Sequence, residues 1–434
     1  MPARLTLLSI LAAGYAFASS AGDAMCRAAE NGDLASLKRL AAAAGVDARG
    51  RDGSTALICA ASVRQRKRNA GPVVQFLLDR GANVNARDHS GRTPLLASLE
   101  NSATEYKVIG GDDAMARLLI SHGANVNAQD RQGWSALMKV TAEWADQPEL
   151  MAFLVARGAE VNARMRDGQT ALMLAVHIDK ADRVRFLLDH GAEVNQQDAS
   201  GRTALMIAAS DAIVQLLLAR NPNLNLKDQD GLTAADHAAR AGALDRATLL
   251  LDRGTQIADR EMFLMRARNH ALLHQIAAGD PDRAKALLAQ GADPNFRAPD
   301  GRTLLMIAAD NRYSAVKVKV LLDAGADVNA SNNRMTPLMV AADQYVAESV
   351  AALLGQGADP KAADENGRTV LMHAAASKHS YQEASAPLIG LLIEHGADVN
   401  ARDDHEETAL DIAIRMHHDA TAEALRRAGA KTGQ

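Results

Sequence analysis

The chain has 434 residues, 48% of them apolar but only 3% aromatic, and a formal net charge of −4. That much apolar mass excludes a disordered chain, and the scarcity of rings argues against a β-sandwich or an aromatic cofactor pocket. Without a basic excess, nucleic acid is not expected as a partner. Two cysteines are too few for a disulfide framework or a cysteine-based zinc site. Arg4 is the only charge before Asp23, and the apolar run Leu5–Phe17 leads into the small-residue exit Ala16-Phe17-Ala18-Ser19-Ser20-Ala21. A basic start, a short apolar core and an A-x-A-like end predict a secretory signal over 1–21, cut after Ala18 or Ala21. Loss of Arg4 takes the net charge from −4 to −5. The run holds about 13 residues against the roughly 20 needed to cross a bilayer. No later run is long enough either, so no membrane span is expected after cleavage.

From residue 22 onward two motifs alternate. The first has the form D-x-x-G-x-T-A-L-M-x-A-A and recurs at Asp52–Leu57, Gly168–Met173, Gly201–Met206, Gly301–Thr303 and Gly367–Thr369. The second, L-L-x-x-G-A-x-V-N-A, carries Gly81, Gly123, Gly158, Gly191, Gly254, Gly291, Gly325, Gly357, Gly396 and Gly429. Gly81 to Thr93, Gly123 to Ser135, Gly158 to Thr170 and Gly396 to Thr408 each span 12 residues. The other interval varies: Thr170 to Gly191 spans 21 residues, Thr93 to Gly123 spans 30, and Thr203 to Asn221 spans 18. Insertions therefore fall in one half of the unit only.

With these two motifs the chain resembles the ankyrin repeat family over nearly all of its length after the signal. The resemblance implies an all-α solenoid of about twelve repeats, each a pair of short helices followed by a β-hairpin finger. It also implies a protein-binding scaffold without catalytic activity, cofactor or metal. The residues fit that frame physically. Thr at the first helix is a side-chain cap, Leu57, Leu137, Leu172 and Leu205 begin a buried face, and Ala pairs such as Ala208-Ala209 and Ala308-Ala309 permit close helix approach. Gly after the second helix suits a left-handed C′ position. A lone pair cannot bury both faces, so stability comes from stacking.

The arrangement predicts a degenerate first repeat over 25–47 and a last one over 408–430. Residues 22–254 hold about seven repeats and 270–434 about five, with an irregular joint at 255–269 where the motif lapses. Asp411 and Asp236 replace the Met of interior repeats such as Met138, Met173, Met206, Met306, Met339 and Met372. A charge there suits a repeat lacking a neighbour. Cys26 and Cys59 fall on first helices of adjacent repeats. Helix axes about 10 Å apart and a Cα limit of about 7 Å argue against a disulfide, so both are read as small buried hydrophobes.

No nucleophile elbow, phosphate loop, dinucleotide fingerprint or kinase motif occurs. His270 and His274 share a helix face without a third ligand, so no metal is expected. The recurring Asn85, Asn127, Asn162, Asn195, Asn225, Asn329 and Asn400 are read as turn residues bonding local backbone. Arg64, Arg66, Lys67 and Arg68 are read as a solvated charge run.

Candidate binding residues lie where repeats differ. Trp134 stands where other repeats have Arg92, Gln169, Arg202, Arg302 or Arg368, a position that the resemblance places on the finger's inner side. An exposed aromatic there is an interface anchor. Its finger neighbours Arg49, Arg87, His89, Arg131 and Arg166, with Arg51 and Arg164, make the N-terminal tips basic. Asp364, Glu365, Asp403, Asp404 and Glu406 make the C-terminal ones acidic. An alternative strip uses Trp144, Tyr313, Tyr345 and Tyr381, which with Tyr106 fall between paired helices. The expected role is a monomeric scaffold, periplasmic or secreted, presenting a concave groove to a protein. The alternative is a secreted effector or inhibitor acting on a host or competitor protein.

Overall fold

The computed structural model describes residues 21–62, 70–100, 102–104, 107–109, 113–142, 148–310, 315–378 and 385–433. Among these residues the elements are twelve helix pairs. They run α1 (21–31) and α2 (Leu34–Ala44), α3 (Ala56–Ala61) and α4 (Ala70–Asp79), α5 (Pro94–Ser98) and α6 (Asp113–Ser121), and α7 (Ala136–Ala142) and α8 (Pro148–Ala156). Next come α9 (Ala171–His177) and α10 (Ala181–Asp189), α11 (Ala204–Ile207) and α12 (Asp211–Leu218), α13 (Ala234–Arg240) and α14 (Leu244–Asp252), and α15 (Arg260–Ala278) and α16 (Pro281–Ala289). The last four pairs are α17 (Leu304–Ala309) and α18 (Ala315–Asp323), α19 (Pro337–Asp343) and α20 (Ala347–Gly355), α21 (Val370–Ala376) and α22 (Ser385–Glu394), and α23 (Ala409–Arg415) and α24 (Asp419–Arg427). The long insertion between α5 and α6 carries a small antiparallel hairpin, β1 (Ser102–Thr104) and β2 (Lys107–Ile109). The signal region 1–20, the basic run Arg64–Arg68, and Tyr106, Trp144, Tyr313 and Tyr381 lie outside the described residues.

Threonine starts the first helices as the motif predicts. The N–H groups of Ile58, Leu96, Met173, Met306 and Met339 donate to the hydroxyls of Thr55, Thr93, Thr170, Thr303 and Thr336 at 3.2–3.4 Å. Each cap is worth about 1 kcal/mol. The shortest interval, Thr203 to Asn221, yields the shortest first helix, the 4-residue α11. Asn221 there takes the positive φ of 50° that glycine adopts in the other repeats.

Two compact bodies, 1–234 and 235–434, divide the chain. In the C-terminal body, first helices stack through alanines: Ala341, Ala342, Ala374, Ala375 and Ala413 are fully buried. The second helices bury Val318, Leu321, Val350, Leu353, Leu392 and Leu425 against them. The stretch 255–269 read as an irregular joint is only partly irregular. Residues 260–269 of it belong to α15, a 19-residue helix capped by Asp259 and ended by Gly279 at a φ of 92°. With no finger motif to stop it, a run rich in helix formers extends a first helix backwards.

The cysteine reading is corrected. Cys26 on α1 and Cys59 on α3 form a disulfide with their Cα atoms 5.3 Å apart. The limit of about 7 Å applies to Cα atoms and not to helix axes. Facing Cα atoms on cylinders of radius about 2.3 Å, with axes about 10 Å apart, come within about 5.4 Å.

Polar groups also tie repeat to repeat. Free carbonyls at the ends of first helices accept bonds from the following repeat. Arg183 Nη1 donates to Thr141 O at 2.6 Å, Lys317 Nζ to Ile276 O at 2.9 Å, and His418 Nδ1 lies 2.9 Å from Ala375 O. The recurring asparagines act likewise, which corrects their reading as local turn residues. Asn127 donates to Gly158 O at 2.9 Å and accepts from Glu160 N at 2.8 Å, both one repeat away. Asn85, Asn162 and Asn329 make the same two bonds. The local turn bond belongs to the residue two before: Asn125 Oδ1 accepts from Asn127 N at 2.9 Å.

One interface holds a buried histidine. His373 on α21 sits between two carboxylates, with Nδ1 3.1 Å from Asp343 Oδ1 at the end of α19 and Nε2 3.1 Å from Asp364 Oδ2 in its own finger. Burial opposes its protonation, but Asp343 and then Asp364 outweigh it and hold the imidazolium above its ordinary value of 6.5. The folded state thus binds this proton more tightly than the unfolded chain. The clamp contributes in full below pH 6.5 and is lost as the pH rises through the raised value. Denaturant unfolding at pH 6 and at pH 9 should show a fall in stability for the wild type that is smaller in His373→Gln. Equal falls would remove His373 as the titrating group.

Candidate functional site

The fingers of the N-terminal body carry most of the sequence candidates. Each finger is a tight turn organised by one carboxylate. Asp88 Oδ1 accepts from Ser90 N and Arg92 N at 2.8 Å, and Asp130 Oδ1 from Gln132 N at 2.9 Å and Trp134 N at 3.0 Å. In the first finger burial opposes ionisation of Asp52, but the N–H and hydroxyl of Ser54 outweigh it and hold the carboxyl below its usual range. The turn places Gly133 at a φ of 88°, and a Cβ there would lie 2.6 Å from Met165 Cα in the next finger. Only glycine meets both conditions, so consecutive tips sit directly on one another.

That contact aligns a backbone ladder. The residue after each finger carboxylate position donates its N–H to the tip of the preceding finger: His89 to Asp52 O at 2.8 Å, Arg131 to Ser90 O at 2.9 Å, and Arg166 to Gln132 O at 3.0 Å. Ala199 and Gln229 continue it at 2.7 and 2.9 Å. His89, Arg131 and Arg166 are therefore brought together as successive rungs, and all three are exposed.

A second ladder runs one residue before the carboxylate position, and it engages two of the candidates. Arg49 Nη1 donates to Gly53 O at 2.9 Å and to Arg87 O at 2.6 Å. Arg87 Nη1 donates to Gln129 O at 2.9 Å, Gln129 Nε2 to Arg164 O at 3.0 Å, Arg164 Nη2 to Gln197 O at 2.6 Å, and Gln197 Nε2 to Lys227 O at 2.9 Å. Arg49 and Arg87 are thus taken up in joining fingers. The sequence reading missed Gln129 and Gln197, although a long donor at the same place in successive repeats was visible.

Arg92 pairs with Asp88 at 2.6 Å and Glu100 at 2.8 Å, and Arg202 with Asp198 at 2.9 Å. Arg51 lies 3.4 Å from Asp23. By contrast, the guanidinium groups of Arg131 and Arg166 have no ion pair or hydrogen bond among the described residues. Trp134 takes the place of Arg92 and Arg202. It is half-buried, with Lys139 Nζ 5.7 Å from its ring centroid, and Lys139 is 3.9 Å from Asp130. The indole thus keeps one face toward Lys139 and part of its surface open. Tyr345, the described member of the alternative strip, has a positive φ of 61° and packs on the hydrophobic core of the C-terminal body.

Elsewhere, His270 meets Phe296 edge-on at 5.2 Å. Among the described residues no group of three or more His, Cys, Asp or Glu could hold a metal ion, and no helix is long and apolar enough to cross a membrane.

The family model described as ankyrin repeats (3 copies) matches this chain in seven stretches, 25–109, 73–165, 105–198, 139–228, 179–261, 272–364 and 341–434. A putative ankyrin repeat-containing protein of Treponema pallidum is 35% identical over 118 residues, 26% of this chain and 37% of its own length. Human ankyrin repeat and SOCS box protein 6 is 29% identical over 198 residues, 44% of this chain and 46% of its own. The Arabidopsis thaliana E3 ubiquitin-protein ligase KEG is 25% identical over 230 residues, 51% of this chain and 14% of its own. The chain spans less than half the length of these relatives.

The two kinds of finger arginine should separate experimentally. Arg87→Ala loses an inter-finger bond and should cost about 1 kcal/mol in denaturant unfolding. Arg131→Ala, with no bond to lose, should stay within about 0.5 kcal/mol of the wild type. Equal costs would contradict the division.

Proposed function

The chain belongs to the ankyrin repeat family, and on that premise we propose that it is an exported scaffold whose N-terminal fingers hold a protein in an oxidising compartment. Stacked Ala and Leu helices bury their faces in one another and offer little room for converging catalytic groups, so we read it as non-enzymatic. The observation that carries the export reading is the Cys26–Cys59 disulfide, which pairs both cysteines of the chain. Such bonds persist outside reducing cytosol. The signal-like pattern over 1–21 agrees with it independently, and together they favour the periplasm or the exterior of a cell.

The disulfide also has a mechanical place in this reading. It ties α1 to α3, so the first repeat is held covalently to the second. The finger face then begins on a fixed first rung. Trp134, half-open beside the exposed rungs, supplies the apolar anchor that a protein interface needs.

Mass spectrometry of the protein from its native host should find a start at Ser19 or Gly22 and cysteines that resist alkylation until reduced. An intact Met1 with alkylatable Cys26 and Cys59 would overturn the export reading. Replacing both cysteines by Ser should cost about 4 kcal/mol for a loop closed over a sequence separation of 33. Hydrogen exchange should rise first in the N-terminal repeats. Against a captured protein partner, Trp134→Ala should weaken binding by about 1–2 kcal/mol. Unchanged affinity would remove the finger face.

A further inference from the structure

We propose that the Arg131 and Arg166 rungs read an extended acidic segment of the partner, with carboxylates spaced about three residues apart. This rests on the reading of the N-terminal fingers as the binding face, and it specifies what that face recognises.

The inference comes from which charges the fold has left available. Six of the eight arginines on these fingers are engaged within the molecule. Arg49, Arg87 and Arg164 donate to carbonyls of the next finger, while Arg51, Arg92 and Arg202 pair with Asp23, Asp88 and Asp198. Arg131 and Arg166 stand at the register position whose backbone N–H makes the inter-finger bond, and, unlike the Gln229 side chain, which donates to Ala199 O at 2.7 Å, their guanidinium groups make no hydrogen bond among the described residues. Both are exposed, and the preceding rung is the exposed His89. The next two rungs, Ala199 and Gln229, carry no charge, so the cationic stretch has a defined end.

Geometry then sets the ligand's form. Adjacent repeats are about 8–10 Å apart, as packed helices are. An extended chain advances about 3.3 Å per residue. A segment running across the fingers meets successive guanidinium groups once every three residues or so. Arg suits this task because its planar fork takes a carboxylate bidentately. The half-open Trp134, between these two rungs in sequence and backed by Lys139, receives an apolar side chain from between the carboxylates. The C-terminal fingers carry Glu365 and Asp404 at the places equivalent to Arg131 and Arg166, and their charge disfavours an acidic ligand there.

The test uses the full chain and synthetic peptides, read by fluorescence anisotropy. The probe is a (Glu-Gly-Ser) repeat of about twelve residues, compared with its Gln counterpart and with a peptide of the same composition whose Glu residues are consecutive. The spaced Glu peptide should bind most tightly and weaken with salt, as screened charges do. Arg131→Glu with Arg166→Glu should lower its affinity about tenfold or more, since like charges then face each other across the contact. Arg131→Lys with Arg166→Lys should retain more than half of it. The pair Arg266→Glu and Lys285→Glu changes net charge equally on the C-terminal body, and it should alter affinity less than twofold. Circular dichroism checks that each variant is folded.

Equal loss in both reversed pairs would reduce the effect to net charge and overturn the proposal. So would equal binding of the consecutive Glu peptide, no binding of the spaced one, or tighter binding of single-stranded DNA of similar length. A partner cross-linked in native extract separates the two levels of the argument. If it is held by the wild type, lost in Trp134→Ala and kept in the Arg131→Glu, Arg166→Glu pair, only the acidic-segment proposal fails. If it is kept in all three, the finger face itself fails.

Discussion

A repeat of two short helices and a turn cannot close its own structure. Its first helix is too short to satisfy its terminal carbonyls, its apolar stripes face outward on two sides, and its finger has one backbone edge open. Every one of these deficits is met by the adjacent repeat. Arg183, Lys317 and His418 reach the carbonyls of the preceding first helix. The alanines bury one another, and rungs such as Arg131 close the edge of the finger before. The last repeat solves the same problem with its own tail. Asp411 accepts from Thr408 N at 2.9 Å and from Gly433 N at 2.7 Å, and Asn400 accepts from Lys431 N at 2.8 Å.

Function follows from what remains after that closure. A finger residue with a side chain long enough to reach the next repeat is recruited to hold it, and charge alone does not say which residue is recruited. Arg87 and Arg131 are both exposed arginines, one residue to either side of a finger carboxylate. One bonds the neighbouring finger through its side chain, the other through its main chain. Only the second leaves a cation for a partner. The same logic applies to Trp134, whose position would otherwise be filled by an arginine folded back on its own finger, as Arg92 is on Asp88.

The fold was legible in the sequence because its determinants are local and repeated. The Thr caps, the Leu and Ala positions, the glycine intervals and the confinement of insertions between paired helices all appear at fixed spacing. The twelve helix pairs match the count this spacing gave. What was not legible depends on the distance between repeats. The asparagines were assigned local bonds because a sequence displays neighbours along the chain, whereas Asn127 bonds Gly158. The disulfide was discounted through axis spacing, although facing Cα atoms are much closer than the axes that carry them. The role of α15 was hidden for another reason: a helix that lengthens where a motif lapses has no repeat to be compared with. Of the candidate binding residues, the sequence put Trp134 forward as the anchor and Arg49, Arg87, His89, Arg131 and Arg166 around it alike, and only side-chain hydrogen bonds sorted the arginines.

The central claim is that inter-repeat hydrogen bonds at the finger tips form one continuous ladder through the N-terminal body. Residue-resolved native-state hydrogen exchange tests it directly. The amides of His89, Arg131, Arg166, Ala199 and Gln229 lie at exposed turn tips and should nevertheless be protected, whereas the amides of Gln132 and Ser200, whose only partners are the finger carboxylates, should exchange faster. Exchange of the five rung amides at the rate of free turns would contradict the account.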